Sequence, residues 1–494
     1  MKNSFLTSIA LIIIFVLTAG QLYAQGGKLF TVNNSGDTFD AIVGDGICAD
    51  ANGNCTLRAA IQEAGTDNYQ NGINFSLSYP ATIDLTLGEL KVTSNIYIAG
   101  PGARKLTVRR SPTSTQDFRV FRFVPNIGSL LVLRGMSIKN GRVPTGDGGG
   151  ILNETSNILY LYDLQVSENT ANRGGGIANA GLMVIWRSLI SSNTAVSNQS
   201  VSGSGGGFYS IPPFGGAEID DSTLTANHAV TGGAVYNATS LFLINDTISH
   251  NSAEQSGSSI VSGDNATTNI FNTIVGMDSA GSASSLSGAF TSFGNNLITD
   301  ARNSTGFTNG VNNDQVSDNN AIDPLLGDLA DNGGQTDTRA LLANSPAIDR
   351  GNSCIYQGNC PAPFPVDFRF SFDQRAGYLR QSGAAIDVGA FEYQTSVIGG
   401  SGALATITFN NRAGGILTIL TNAETNAKQT RVTNPFGNFL FNGVPPSGVY
   451  FLESKAKRAR QRSGLSIFSF DVLPFVPRSE VLFETENVRF LWDK

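Results

Sequence analysis

Apolar and polar residues recur in the same order about every 24 to 26 residues between Gly135 and Ser262. Aligned copies of this repeat place the apolar residues in three columns: Leu161, Ile185, Ile219 and Leu243; Val166, Ile190, Leu224 and Ile248; and Ile151, Ile177, Phe208 and Val235. Each apolar stretch is short, so one copy cannot bury its own apolar face and must stack on the next copy. The pattern predicts a right-handed parallel β-helix.

Glycine and asparagine form further columns in the same repeat. The glycines stand just before the third apolar column, at Gly148, Gly174, Gly205, Gly232 and Gly257. Because glycine accepts positive φ, we expect a tight corner there. The asparagines form two columns: Asn169, Asn193, Asn227 and Asn251; and Asn153, Asn179 and Asn237. We expect their amides to hydrogen-bond along the stack, and the asparagines to occupy left-handed corners.

The composition of the whole chain supports an all-β protein. Its 494 residues include 56 glycines, only 14% are charged, and the net charge is −7. Lys2, an apolar run from Phe5 to Ala19 and the sequence Leu-Tyr-Ala ending at Ala24 are typical of a secretory signal peptide, with an uncleaved membrane anchor as the alternative. No later apolar run has the length of a membrane span. We therefore expect a secreted or cell-surface protein after cleavage near Ala24.

Four cysteines occur as two local pairs, Cys48 with Cys55 and Cys354 with Cys360. In an exported protein, an even number of cysteines at short spacings favours disulfides. Three pairings are possible, and we predict the local one. Neither pair has the CxxC spacing that a zinc site favours.

The segment around the first cysteine pair carries a family motif. The sequence DGICADANGNCTLRAAIQEA resembles the N-terminal motif of the CSLREA family at Cys55-Thr56-Leu57-Arg58-Ala59-Ala60. It departs from that motif at Thr56, which replaces Ser, and at Ala59, which replaces Glu. The resemblance implies an exported β-helix protein whose N-terminal cap and first turns occupy residues 25–128. Thr56 is also a candidate N-cap for a short helix that ends at Gly65.

A second motif follows the repeats, which we assign to residues 129–300. The segments Asp323–Gly351 and Asp373–Tyr393 resemble the choice-of-anchor Q region of bacterial surface β-helix proteins. The resemblance implies a C-terminal cap over residues 301–394, interrupted by the loop from Cys354 to Cys360.

The last part of the chain differs from the repeats in composition and in its apolar pattern. Residues 395–402 have the composition of a linker, and from Ala403 onward 11 basic residues outnumber 7 acidic ones. Alternating apolar residues and turn signals predict a small β-sandwich over 403–494. Asn434–Phe439 and Gly448–Tyr450 resemble carboxypeptidase-regulatory-like domains, which implies a spacer or binding module. The basic run from Lys455 to Arg462 is interpreted as a charged strand edge, or alternatively as a contact for an anionic polysaccharide; nucleic acid is not expected as a partner.

Pectinolytic enzymes share the parallel β-helix. The fold alone does not decide whether this pectin-lyase-like chain is catalytic, because catalysis depends on the residues of the site. Asp220 and Asp221 are the adjacent acidic pair within the repeats, and Asp221 shares a column with Asp163, Arg187 and Asn245. This column is a candidate for a ligand site, and Asp163, Arg187, Asp220 and Asp221 are candidates for acid and base chemistry. The alternative is a solvated ladder in which Asp and Arg pair between neighbouring turns.

The sequence also contains two candidate metal sites. His228 and His250 flank the first asparagine column, but no third ligand is evident. Asp50, Asn52 and Asn54 have the spacing that begins a calcium loop, although the loop lacks the later glutamate. We therefore expect no cofactor, with calcium as the alternative.

The sequence carries no catalytic signature that stands apart from the packing pattern. It favours an exported β-helix protein with an adhesin-like or polysaccharide-contacting role. The first alternative is a polysaccharide lyase or glycoside hydrolase that acts on the β-helix face. The second is a structural stalk whose C-terminal sandwich makes the contact.

Overall fold

The structure is a computed structural model. It describes residues 27–394 except 68, 125–130, 156, 279–282, 362–371 and 377, together with seven strands between residues 403 and 493. The predicted signal peptide, the linker 395–402 and most of the basic run 455–462 lie outside the described residues.

Residues 29–316 form a parallel β-helix, as the repeat predicts. Sheet A contains ten strands: Leu29–Val32, Asn71–Phe75, Ile96–Ala99, Leu131–Arg134, Ile158–Tyr162, Leu182–Trp186, Ala217–Asp220, Ser240–Ile244, Thr267–Phe271 and Thr291–Gly294. Sheet B also contains ten: Ala81–Leu85, Leu106–Arg110, Ser137–Lys139, Gln165–Ser167, Leu189–Ser191, Thr223–Thr225, Thr247–Ser249, Ile274–Gly276, Leu297–Ile298 and Gln315–Val316.

Two further sheets complete the turns, with nine strands in sheet C and five in sheet D. Sheet C consists of Leu90–Val92, Phe121–Phe123, Ile151–Asn153, Ile177–Asn179, Phe208–Ser210, Val235–Asn237, Ile260–Ser262, Leu286–Ala289 and Ser304–Thr305. Sheet D, which lies between sheets B and C along the chain, consists of Arg142–Asp147, Thr170–Arg173, Thr194–Ala195, His228–Thr231 and Ser252–Ser256. The right-handed sense of the helix stays a prediction.

The three predicted apolar columns are confirmed as the core. In sheet A, Leu161 pairs with Ile185, which pairs with Ile219. The second column lies in sheet B and the third in sheet C, with the register that the repeat predicts. The side chains of all three columns are at most 1% exposed. Stacking therefore removes from water the apolar surface that a single turn would leave exposed.

The glycine corner is confirmed. Gly148, Gly174 and Gly205 have φ values of 66°, 61° and 66°. A Cβ atom on Gly174 would lie 2.2 Å from the backbone oxygen of Ile177. Both the left-handed conformation and the close backbone approach therefore require glycine at this corner.

The first asparagine column forms the expected ladder inside the solenoid. Asn169 donates from Nδ2 to Oδ1 of Asn193 at 3.0 Å, and the same bond joins Asn193 to Asn227 and Asn227 to Asn251. The expectation that these asparagines themselves are left-handed is wrong. Positive φ falls on the preceding residues, Glu168, Ser192, Ala226 and His250. The asparagine side chains instead turn inward, where their amides satisfy buried backbone groups.

The second asparagine column forms a partial ladder. Asn153 donates to Asn179 at 2.7 Å. Ser210 occupies the next turn and donates to Asn237 at 2.8 Å.

A short helix, Leu57–Ala64, packs at the N-terminal end of the solenoid. Thr56 is its N-cap, because Oγ1 of Thr56 accepts a hydrogen bond from the backbone of Ala59 at 3.1 Å, and Gly65 ends it. Both predicted disulfides are present, with sulfur–sulfur distances of 2.05 Å for Cys48–Cys55 and 1.93 Å for Cys354–Cys360. The first disulfide closes the loop that leads into this helix.

Beyond the solenoid the chain turns back along its side. We call residues 326–361, 372–375 and 380–393 the return segment; it contains the strand pair Leu326–Ala330 and Thr338–Leu341 and the helix Cys354–Gln357, and a 3-10 turn at Val311–Asn313 precedes it. Its contacts extend from Arg104, which binds Asp337 at 2.6 Å, to Asn295, which donates to the backbone of Arg350 at 2.7 Å. These contacts lie along the side of the β-helix. The boundary of the choice-of-anchor-like region stays a prediction.

The last part of the chain contains two antiparallel sheets. The strands Asn438–Val444, Ala403–Phe409 and Val488–Asp493 form one of them. The strands Lys428–Val432, Leu417–Asn422, Gly448–Lys455 and Ile467–Val472 form the other. No helix in the described part of the chain is both long enough and apolar enough to cross a membrane.

Candidate functional site

The column that the sequence singles out is the corner between sheets A and B. Asp163, Arg187, Asp221 and Asn245 each follow the last residue of a sheet A strand, and their φ values are 52°, 48°, 45° and 56°. Positive φ is uncommon outside glycine, and Asp and Asn tolerate it better than most residues. The column is therefore first of all a structural corner, and its polar character follows partly from that conformation.

The predicted pairing between Asp and Arg of neighbouring turns is present. Nε and Nη2 of Arg187 lie 3.0 Å and 3.3 Å from the two carboxylate oxygens of Asp163. Arg134 reaches the same carboxylate at 3.4 Å, and the Arg187 guanidinium lies 4.0 Å from the ring centre of Trp186. The expected solvation of this ladder is absent, since Asp163 is 1% and Arg187 6% exposed.

Asp221 occupies the same corner two turns after Asp163. Its carboxylate accepts a hydrogen bond from Nε1 of Trp186 at 3.1 Å and lies 3.6 Å from Nε of Arg380 in the return segment. Burial raises the pKa of Asp221 to about 6, although the charge of Arg380 and the bond from Trp186 lower it. Asp221 is thus a buried ion-pair partner at neutral pH.

Asn245 completes the column and differs from its neighbours. It is fully buried, and neither amide atom has a hydrogen-bond partner among the described residues. Leaving a buried amide unpaired costs free energy, so Asn245 does not owe its place to hydrogen bonding within the fold. Asn245 does fit the backbone conformation of this corner, because asparagine tolerates a positive φ.

Asp220 does not belong to this column. It is the last residue of the sheet A strand Ala217–Asp220 and lies on the same side of that strand as Glu218, because side chains alternate along a strand. Burial raises the pKa of Glu218 to about 7, and burial together with the nearby Glu218 charge raises the pKa of Asp220 well above its ordinary value. Sequence reasoning missed Glu218, although the spacing of two residues to Asp220 was a signal for a shared face.

The Glu218–Asp220 pair has the chemistry of an acid and a base, since two adjacent carboxyl groups with raised pKa values can hold one proton between them. The burial of the pair argues against catalysis. Glu218 is 2% and Asp220 3% exposed, so a polymer cannot reach either carboxyl group in this arrangement.

The return segment covers the outer face of sheet B beside this corner. Thr223 donates to Gln374 at 2.6 Å, Nε of Arg339 donates to Thr225 at 2.9 Å, and the backbone of Ala390 donates to Thr247 at 3.0 Å. Further along, the backbone of Gly389 donates to that of Asn272 at 2.8 Å. These bonds close the side of the solenoid over the candidate column.

Two of the metal candidates, Asp50 and His228, are engaged in other contacts. Oδ1 of Asp50 accepts from the backbones of Asn52 and Asn54 at 2.9 Å, and Oδ2 accepts from Thr38 at 2.9 Å. His228 contacts Ser252 at 2.9 Å, whereas His250 lies at a left-handed corner of the next turn. Within the described residues, no group of three or more His, Cys, Asp and Glu side chains is arranged to hold a metal ion.

Comparison of the sequence with family models gave no match, and comparison with curated proteins gave none either. The functional proposal therefore depends on the sequence and the geometry of the chain itself.

Proposed function

We propose that this chain is a secreted or cell-surface β-helix protein with a non-catalytic, adhesin-like role in contact with polysaccharide or other cell-surface components. The observation that supports a non-catalytic role is the use of the candidate column in packing. Asp163, Arg187 and Asp221 are paired and buried, and the return segment lies beside them. A hydrolase or lyase needs its acid and base where substrate can reach them.

The proposed location depends on the apolar N-terminus and on the two disulfides. Disulfides persist in oxidising compartments, and both are short local links within loops. We also propose that residues 403–494 form a carboxypeptidase-regulatory-like β-sandwich and that the chain is related to the CSLREA and choice-of-anchor Q proteins. The motifs quoted from the sequence support both assignments.

The test is a combined binding and turnover screen of the mature protein, residues 25–494, against a panel of polysaccharides. We expect binding to at least one polysaccharide, with no release of reducing ends and no absorbance from unsaturated uronate. Arg187→Ala should lower stability and leave binding by the remaining folded protein unchanged. Failure to bind any member of a broad panel would contradict the proposed role.

The Glu218–Asp220 pair favours one alternative, a glycoside hydrolase or lyase. In that case the screen would show turnover, and Glu218→Gln and Asp220→Asn would abolish it while the variants remain folded by circular dichroism. Turnover lost in both variants would replace the non-catalytic proposal.

A further inference from the structure

The N-terminal cap carries several large apolar side chains that are exposed to solvent. We call Phe39, Ile42, Val43, Ile47 and Leu87 the cap patch. They are 52%, 66%, 52%, 63% and 47% exposed. Four of the five lie within nine consecutive positions of one loop, 39–47. Large exposed apolar side chains grouped on one loop are often part of an interaction site in soluble proteins.

The loop beneath the cap patch is rigidly built. Asp40 accepts hydrogen bonds from the backbones of Ile42 at 2.9 Å and Ala49 at 3.1 Å. Glu63, which is 1% exposed, accepts from the backbones of Gly44 at 2.6 Å and Gly46. Buried carboxylates thus satisfy the loop's backbone, while the large apolar side chains of the same loop remain outside.

A second arrangement joins Leu87 to the loop. Asp37 is ion-paired with Arg58 at 2.6 Å and also accepts from the backbone of Leu87 at 2.8 Å. The Arg58 guanidinium lies 5.5 Å from the ring centre of Phe39. The Arg58–Asp37 pair therefore holds Phe39 and the backbone of Leu87 in the same region, and this preorganisation lowers the conformational entropy lost on binding.

The charges at the cap patch are complementary to each other. Asp45 lies between Val43 and Ile47 and is exposed, and its carboxylate accepts a hydrogen bond from the backbone of Ile47 at 2.8 Å. A Cβ atom on Gly46 would lie 2.6 Å from Nζ of Lys28, so this ammonium group rests on the loop next to Asp45. Neither Asp45 nor Lys28 has an ion-pair partner among the described residues.

We infer that the cap patch is an interface between two copies of this chain, related by a two-fold axis at the N-terminal ends of their solenoids. A two-fold interface brings a surface against itself, so a patch with one carboxylate and one ammonium group can pair Asp45 of each copy with Lys28 of the other.

With about half of each large side chain exposed, the patch presents ~500 Å² per copy. Two copies would then bury ~1,000 Å², which reaches the lower limit for a specific interface. A bilayer is disfavoured as the occupant because it would bury the charges of both Asp45 and Lys28, which form no ion pair within the described part of one copy.

The experiment is sedimentation velocity of the mature protein over a concentration series. We expect a reversible dimer whose dissociation constant rises at least ~30-fold in Ile42→Asp. Phe214→Asp is the matched control, since Phe214 is 76% exposed and lies outside the cap patch, and it should leave the dimer unchanged. Asp45→Lys alone should weaken the dimer, and adding Lys28→Asp should restore it. Thermal unfolding would verify that each variant is folded.

Three results would overturn the inference. One is a monomer at every concentration, and another is a dimer that Ile42→Asp and Phe214→Asp affect equally. The third is flotation of a monomeric protein with phosphatidylcholine vesicles that Ile42→Asp abolishes, since this would assign the patch to a bilayer. None of these outcomes bears on polysaccharide binding, so the inference and the proposed function fail separately.

Discussion

Nε of Arg380 lies 3.6 Å from Oδ1 of Asp221, and neither side chain has any exposure to solvent. Asp221 belongs to a corner of the β-helix, and Arg380 to the return segment. Arg380 also donates from Nη2 to the backbone oxygen of Gly389, which is itself bonded to Asn272 of the solenoid. The ion pair therefore joins the two parts of the fold at a buried point.

We predict that Asp221→Asn destabilises the protein by about 3–5 kcal/mol, because it removes the carboxylate charge that lies 3.6 Å from the buried Arg380 guanidinium. Hydrogen exchange should increase in residues 380–393 before it increases in the solenoid strands. Urea unfolding measures the total loss of stability, and Lys139→Met is the control. Lys139 pairs with the exposed Glu168 at 3.0 Å, so its removal should cost less than about 1 kcal/mol. Equal losses in the two variants would contradict the role of the buried pair.

The repeat columns could be predicted because each one reflects a contact between neighbouring turns. Val166 and Ile190 pair because the chain returns to the same position after one period, and the period is visible in the sequence. The contact between Asp221 and Arg380 has no such signal, since it joins the repeat to a segment outside it. Sequence reasoning therefore found the corner column and its Asp–Arg pairing but not the cover that buries it.

The asparagine ladder gives a second prediction. Oδ1 of Asn193 accepts from Asn169, and its Nδ2 donates to the backbone of Val166 at 2.9 Å and to Asn227 at 3.0 Å. Asn193→Ala would leave several buried groups unpaired, so we expect a loss of about 3 kcal/mol or more in urea unfolding. Asn52→Ala, at an exposed position, should change stability by less than about 0.5 kcal/mol. A tolerated Asn193→Ala would mean that the ladder adds little to stability.

The glycine corner can be tested with a matched pair of glycines. Gly174 and Gly53 have φ values of 61° and 80°, but a Cβ atom would meet the Ile177 backbone at Gly174 and nothing within 4 Å at Gly53. Gly53→Ala should therefore lower the free energy of unfolding by about 1–2 kcal/mol, which is the cost of placing a residue with a Cβ atom in the left-handed conformation. Gly174→Ala should cost more, because the backbone of sheet C must also move. Thermal unfolding compares the two variants, and equal costs would show that conformation alone selects glycine at this corner.

Asp278 extends the asparagine ladder by one turn and gives a prediction about pH. Oδ1 of Asp278 accepts from the backbone of Asn251 at 3.0 Å, and its carboxylate also accepts from the hydroxyl groups of Ser258 and Ser259. Burial raises the pKa of Asp278 to about 6, against the lowering effect of these bonds.

Because the folded pKa lies above the unfolded value of 3.8, the folded protein retains a proton between about pH 4 and 6 that the unfolded chain has released. Stability from this group is therefore greatest below about pH 4 and falls as the pH rises to about 6. Asp278→Asn keeps an acceptor for Asn251 and removes the titration. The variant should lose less stability than the wild type between about pH 4 and 8, by up to about 3 kcal/mol. Asp264→Asn, at an exposed position, should retain the wild-type pH dependence in the same urea titrations. Parallel losses in the wild type and Asp278→Asn would show that Asp278 titrates alike in the folded and unfolded chains.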